Sequence, residues 1–228
     1  YYTADYVFTQ TGGNLDINDK NFTLSYTDNG DGIEPVTGLD WNNFEGWNLI
    51  GNPYASAIDW DAIWLDIVAN GQDTYVENGI YYYDDVNDNY VFYGGGTMFD
   101  QGITVNGNGN PDNADIPSNQ AVFVKATTSG HGNDITIEAD TRTHGANIFR
   151  KNNSKSYTDL LRFQIEKDSY TDETVIRMIE GATDEHNIHF DAYKMFAWSN
   201  DKPQIFTCTS DNTGLFALNS FAPLAGEK

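Results

Sequence analysis

The chain has very little positive charge. Only 12 of its 228 residues are Lys or Arg, against 34 Asp or Glu, for a formal net charge of −22. So acidic a surface repels phosphate backbones, which excludes nucleic acid as a partner. Cysteine is almost absent: Cys208 stands alone, so no intrachain disulfide can form. Small secreted eukaryotic domains usually depend on such staples, whereas a large bacterial secreted domain does not. There is no apolar run long enough to span a bilayer as a helix, which excludes direct membrane insertion of that kind. No signal-peptide pattern opens the chain, and Tyr1 stands where an initiator Met would be, so a fragment or processed product is expected. The catalytic signatures G-x-S-x-G and H-E-x-x-H, the Walker loop and the dinucleotide fingerprint are all missing.

What remains is rich in strand and turn formers. Hydrophobic residues make up 39% and aromatics 14%, with 14 Tyr and 21 Gly, enough apolar material for a real core. The charge is uneven: residues 1–124 hold 19 of the acids and only Lys20 as a base, so they carry −18 of the total.

The stretch Gly46–Asp61, GWNLIGNPYASAIDWD, organises its surroundings. Trp47–Ile50 reads as a buried strand, and Pro53 fixes its own φ and biases Asn52 away from helix. Ser56 with Asp59 resembles a capping box, and Trp60/Trp64 form an i,i+4 pair, so one short helix is expected near 59–69, stopped by Asn70-Gly71. Strands are expected at Tyr1–Thr11, Asn21–Tyr26, Gly79–Tyr83, Tyr90–Tyr93, within Ile116–Ala126 and at Asp134–Ala139, the last pairing with its predecessor. Gly94–Pro117 reads as loop, and Arg150–Tyr157 as a linker. Leu160–Lys167, Glu173–Ile179, Gln204–Cys208 and Leu215–Leu218 read as further strands. The expected fold is all-β: a sandwich of jelly-roll or Ig-like type over 1–150, then a second β-domain over 151–228 that is completed by sequence beyond the chain. Cys208 is expected to be a buried small apolar residue.

Three constellations bear on chemistry. Asp28-Asn29-Gly30-Asp31-Gly32 and Asp84-Asp85-Val86-Asn87-Asp88-Asn89 offer several hard oxygens, so Asp28, Asp31, Asp84, Asp85, Asn87 and Asp88 are candidate Ca²⁺ ligands, although neither loop has EF-hand spacing. No cofactor is required on this reading, with calcium as the optional one. Trp41, Trp47, Trp60, Trp64, Tyr81 and Tyr83 could stack on sugar rings, and Trp60, Trp64, Tyr81 and Tyr83 are the candidates for a glycan site; the competing role for any one of them is core. His186 and His189, beside Glu185 and Asp191, are the nearest approach to a transition-metal set, and solvated histidines are the stronger reading. Asp59, Asp61 and Asp66 could be read as glycosidase carboxylates, which sit ~5–9 Å apart across a substrate. Helix capping and the helix dipole account for Asp59 and Asp61 more simply.

GWNLIGNPYASAIDWD is similar to the G-W-N-L-V-G-N-P-[FY]-x-S-x-I-D-W signature of Bacteroidetes-type secreted surface proteins. IPSNQAVFVKA and DETVIRMIEGATDEHNIHFDAYKMF resemble two further blocks of that family, in the same order. The His186–His189 insert departs from the pattern. The resemblance implies a secreted or cell-surface location and β-sandwich modules, in a region that precedes a C-terminal sorting domain used by type IX secretion. That sorting domain is not among the residues here. The resemblance implies no catalytic residues. The reading is a non-catalytic extracellular module with an adhesion, presentation or spacer role. Its partners would be the other domains of a larger surface polypeptide, and glycans or other surface proteins. A carbohydrate-binding module is the alternative, and a polysaccharide-acting enzyme the third.

Overall fold

A computed structural model describes residues 17–30, 41–84, 88–95, 103–106, 114–143, 159–197, 202–209 and 214–223. In chain order the elements are β1 (Lys20–Thr23), β2 (Trp47–Gly51), β3 (Ala57–Asp59), α1 (Trp60–Ala69), β4 (Ile80–Asp84), β5 (Asn89–Gly94), β6 (Ile103–Val105), β7 (Asp115–Ile116) and β8 (Ala121–Lys125). Then come β9 (Asp134–Ile137), β10 (Arg142–Thr143), β11 (Leu160–Lys167), β12 (Tyr170–Met178), β13 (Ala192–Tyr193), β14 (Thr207–Cys208) and β15 (Leu215–Phe221). The fold is all-β and sandwich-like, with one α-helix among the described residues. The helix lies where Trp60 and the Asn-Gly stop place it.

A five-stranded antiparallel sheet, in the order β2-β8-β4-β5-β6, forms the middle layer. Its strands are rich in Val, Ile, Tyr and Phe, and their two-residue alternation supplies both faces with apolar side chains. One face sends Ile50, Ile80, Tyr93, Val122 and Val124 against Ile63, Trp64 and Ile67 of α1 and against Ile58, Ile135 and Ile137. The other sends Tyr81, Phe92, Ile103 and Val105 against Val175, Ala192, Ala217 and Leu218. Those four belong to a second sheet, β11-β12-β15-β13, with β14 also paired to β15. Within it β12 and β15 run parallel. The small sheets β1-β9 and β10-β3-β7 complete the helix side.

Several pairings differ from expectation. β9 pairs with β1 and not with β8, because β8 is already occupied by β2 and β4. The stretch Gly94–Pro117, read as loop, contains β6 and β7, which are too short for a periodic signal to register. Cys208 is exposed, not buried. The strand expected at Tyr1–Thr11 and the linker at Arg150–Tyr157 lie outside the described residues.

The corner at Asn52 is held by its own side chain. Asn52 Nδ2 donates to the Ser56 and Ile116 carbonyls, each at 2.9 Å, and Oδ1 accepts from Tyr54 N at 2.8 Å. The Tyr54 hydroxyl donates toward the Asn18 and Ile137 carbonyls, each 3.0 Å away. Gly46 has φ +74°, and a Cβ there would run into the Ala126 carbonyl oxygen, so glycine is required. Trp47 stands edge-on to Tyr81 at 4.8 Å, and its Nε1 donates to Asn43 O at 2.7 Å.

Candidate functional site

The helix cap is Asp59 rather than Ser56: its Oδ1 accepts from Asp61 N at 2.9 Å, and Trp60 opens the helix. At the other end Gly71, with φ +69°, donates to Val68 O at 3.1 Å, and Gln72 N donates to Ile67 O at 2.8 Å, a Schellman closure. With both ends fixed, α1 presents two polar environments.

The first is on its outer side. Asp66, Glu138 and Asp140 bring carboxylate oxygens within 4.8 Å of one another. The β1–β9 pairing sets Lys20 against Ile137, which brings Asp19 close enough for its Oδ1 to accept from Ala139 N at 2.8 Å. Asn70 Nδ2 donates to Glu138 Oε1 at 3.0 Å. The Asp66 carboxyl is pushed above its ordinary range, first by desolvation and then by Glu138, Asp140 and Asp19. Three hard oxygen donors suit Ca²⁺ chemically but fall short of the six to eight it takes, so waters or carbonyls would have to supply the rest.

The second lies between α1, the segment before β4, and the loop at 186–191. Asn78 Nδ2 donates to Gly95 O at 2.8 Å, and Asn78 N to Ile188 O at 3.2 Å. Trp60 Cδ1 is 3.1 Å from where a Cβ on Gly95 would sit. The Tyr93 hydroxyl donates to the Asp61 carboxylate, at 3.0 and 3.1 Å from its two oxygens. The Trp64 ring stands 6.5 Å from Trp60 and 6.3 Å from His189. Along this seam Trp60 Nε1, Trp64 Nε1, Asn78 Oδ1 and His189 Nδ1 are all buried without a hydrogen-bond partner. Each such atom costs about 1–3 kcal/mol if nothing satisfies it, against a total stability of about 5–15 kcal/mol.

Beside the seam, Glu77 and Lys125 are buried together. Lys125 Nζ donates to Asn42 O at 2.6 Å and Glu45 O at 2.5 Å, and sits 4.4 Å above the Tyr193 ring. Burial lowers the Lys125 ammonium to about 8, opposed by Glu77 and Glu45. Burial raises the Glu77 carboxyl to about 8, partly opposed by Lys125 and aided by Asp191. The Asp191 carboxyl rises to about 6 by desolvation, against the pull of the Asn187 and Ser220 amides that it accepts.

The residues picked out as ligand candidates fare unequally. Trp60 and Trp64 are each 1% exposed and Tyr81 is 2% exposed, so no sugar ring reaches them; they are core. Tyr83 is 47% exposed, with Tyr90 edge-on at 5.4 Å. Asp28 Oδ1 accepts from Gly30 N at 2.7 Å. Asp84 is buried, and Asp88 is spent on Lys202 and the Tyr83 hydroxyl. Asp31, Asp85 and Asn87 lie outside the described residues. Among the described residues, the one set of His, Cys, Asp and Glu close enough to share a metal is the Asp66 trio, so His186 and His189 do not converge on one. Glu77 Oε1 lies 3.8 Å from His186 Nε2, and His186 stacks on Phe216. The Asp66 trio as a set left no sequence signal, since Asp66 meets Glu138 and Asp140 only through the packing of α1 on β9 and the turn after it.

Architecture and site together define an acidic, sandwich-like β-module with a helix on one face. The chain belongs to the family described as "Domain of unknown function (DUF8693)", whose model matches residues 2–215. No curated protein and no solved structure matches it.

Proposed function

We propose that the chain is a non-catalytic extracellular module of a bacterial cell-surface or secreted protein, with an adhesion, presentation or spacer role. The observation that carries this is the fate of the GWNLIGNPYASAIDWD motif. Gly46, Trp47, Asn52, Tyr54, Asp59, Trp60 and Trp64 are all consumed in turns, caps and core, so what the motif encodes is a rigid corner. The net charge of −22 and the lack of disulfides fit a bacterial exterior. The three-block resemblance to secreted surface proteins supports the same location, with other domains of a larger polypeptide as neighbours. The test is labelling of intact cells of the source organism with an antibody raised against this chain. Labelling without permeabilisation is expected, and signal only after lysis would refute the proposal.

A second reading keeps a glycan contact at the β4–β5 tip, on the strength of the exposed Tyr83 and its Tyr90 neighbour. A glycan array with the intact chain and with Tyr83→Ala tests it: binding that the substitution abolishes would support it, and the lack of any hit would end it.

A further inference from the structure

We propose that the seam between α1, Asn78 and the 186–191 loop is an internal hydration site that keys the loop to the helix. Four buried polar atoms there have no protein partner: Trp60 Nε1, Trp64 Nε1, Asn78 Oδ1 and His189 Nδ1. The residues that carry them are linked by a closed set of contacts. Trp60 and the Asn78 amide both abut Gly95, the Asn78 backbone bonds Ile188, and His189 stands edge-on to Trp64, which lies beside Trp60.

The chemistry of the four atoms selects the ligand. The indole nitrogens only donate, the amide oxygen only accepts, and the imidazole nitrogen does either according to its tautomer. Water both donates and accepts, so it can join all four types. Roughly one or two molecules, at about three hydrogen bonds each, are enough. An anion would suit the indole donors, but the Asp61 carboxylate that holds the Tyr93 hydroxyl lies against the same Gly95 and repels it. The small set of hard and imidazole ligands that a metal needs does not assemble here. Trp60, Trp64, Asn78 and Tyr93 are almost fully buried, which excludes a sugar or larger organic molecule.

The test uses the intact 228-residue chain. Two-dimensional NMR with water-selective excitation reads transfer from water to the two indole Hε1 protons. Direct transfer with the sign of long-lived bound water is expected at both Trp60 and Trp64, assigned by single Trp→Phe variants. Absent peaks, or peaks from chemical exchange alone, would overturn the proposal. A high-resolution crystal structure provides a readout that needs no variant. Water density within hydrogen-bond distance of the four atoms is expected, and an empty seam or density for an organic molecule would overturn it.

Discussion

Replacing Glu77 by Gln should remove most of a pH dependence that the fold builds in at the Glu77–Lys125 pair. In the native state burial holds the Glu77 carboxyl at about 8, against an ordinary value of 4.5. Between those values the native protein keeps a proton that the unfolded chain has lost, so stability falls as pH rises across that window. At about 1.4 kcal/mol per unit, the interval of about 3.5 units corresponds to about 5 kcal/mol as an upper bound. Lys125 acts oppositely at higher pH. Its native value of about 8 lies below the ordinary 10.5, so above pH 8 the native ammonium has been lost while the unfolded one persists, and stability recovers as pH rises. The wild type should therefore be least stable near pH 8. Gln keeps the shape of Glu77 and cannot ionise. Urea unfolding followed by tryptophan fluorescence should place the two proteins within about 1 kcal/mol at pH 5 and the variant ahead by about 3 kcal/mol at pH 8. Asp191 is present in both proteins, and its repulsion of the Glu77 carboxylate is part of the difference read. Parallel curves, or a variant weaker by a constant amount, would refute the buried-carboxyl account.

Trp47→Ala removes the edge-on contact with Tyr81 and the bond to Asn43 O, and should cost about 3 kcal/mol; calorimetry should show the melting temperature down by roughly 6–12 °C. Asn52→Ala loses three side-chain hydrogen bonds at the corner and should cost about 3 kcal/mol in urea titrations, whereas Pro53→Ala should cost under about 1 kcal/mol. Asp140→Asn relieves repulsion on Asp66 and should raise the urea midpoint at neutral pH and low salt. The gain should shrink at high salt, and an unchanged midpoint would remove the like-charge account of that cluster. Because the native Asp66 carboxyl is raised, its own contribution weakens stability as pH climbs out of the acid range. Added Ca²⁺ should raise the wild-type melting temperature and leave that of Asp140→Asn nearly still, if the Asp66 trio holds the ion.

The readable parts of this fold are local. Alternation marked β1, apolar, β-branched and aromatic runs marked β2, β4, β5, β8 and β11, and Trp60 with the Asn70-Gly71 stop marked α1, since side-chain pattern and cap chemistry act over a few residues. Partner choice was not legible: Asp134–Ile137 carries a strand pattern whichever strand it joins, and only the full sheet shows that β1 takes it. The aromatic residues misled for a related reason. Trp60 and Tyr81 look the same in sequence whether they face a sugar or a core, and the layer that covers Tyr81 is built from Val175, Ala192, Ala217 and Leu218, more than ninety positions away. In the Asp66 trio only Glu138 and Asp140 are near in sequence, and along the α1 seam only Trp60 and Trp64 are, so no short window contains the whole of either.

The place of β15 has a consequence for how the chain must come together in time. This strand lies inside its sheet, with β13 on one flank and, on the other, β12 in parallel along residues 218–221 and β14 beside Leu215 and Phe216. Residues 215–221 thus follow every strand that they join in any process that delivers the chain from its N-terminus, whether synthesis or export. Until they arrive, the face bearing Tyr81, Phe92, Ile103 and Val105 lacks Ala217 and Leu218, and β12 and β13 lack the strand that joins them, so a half-delivered chain presents apolar surface to its neighbours. Ordering by non-local pairing is slow. A chain stopped short of this strand would leave the edges of β12 and β13 open for pairing with its neighbours.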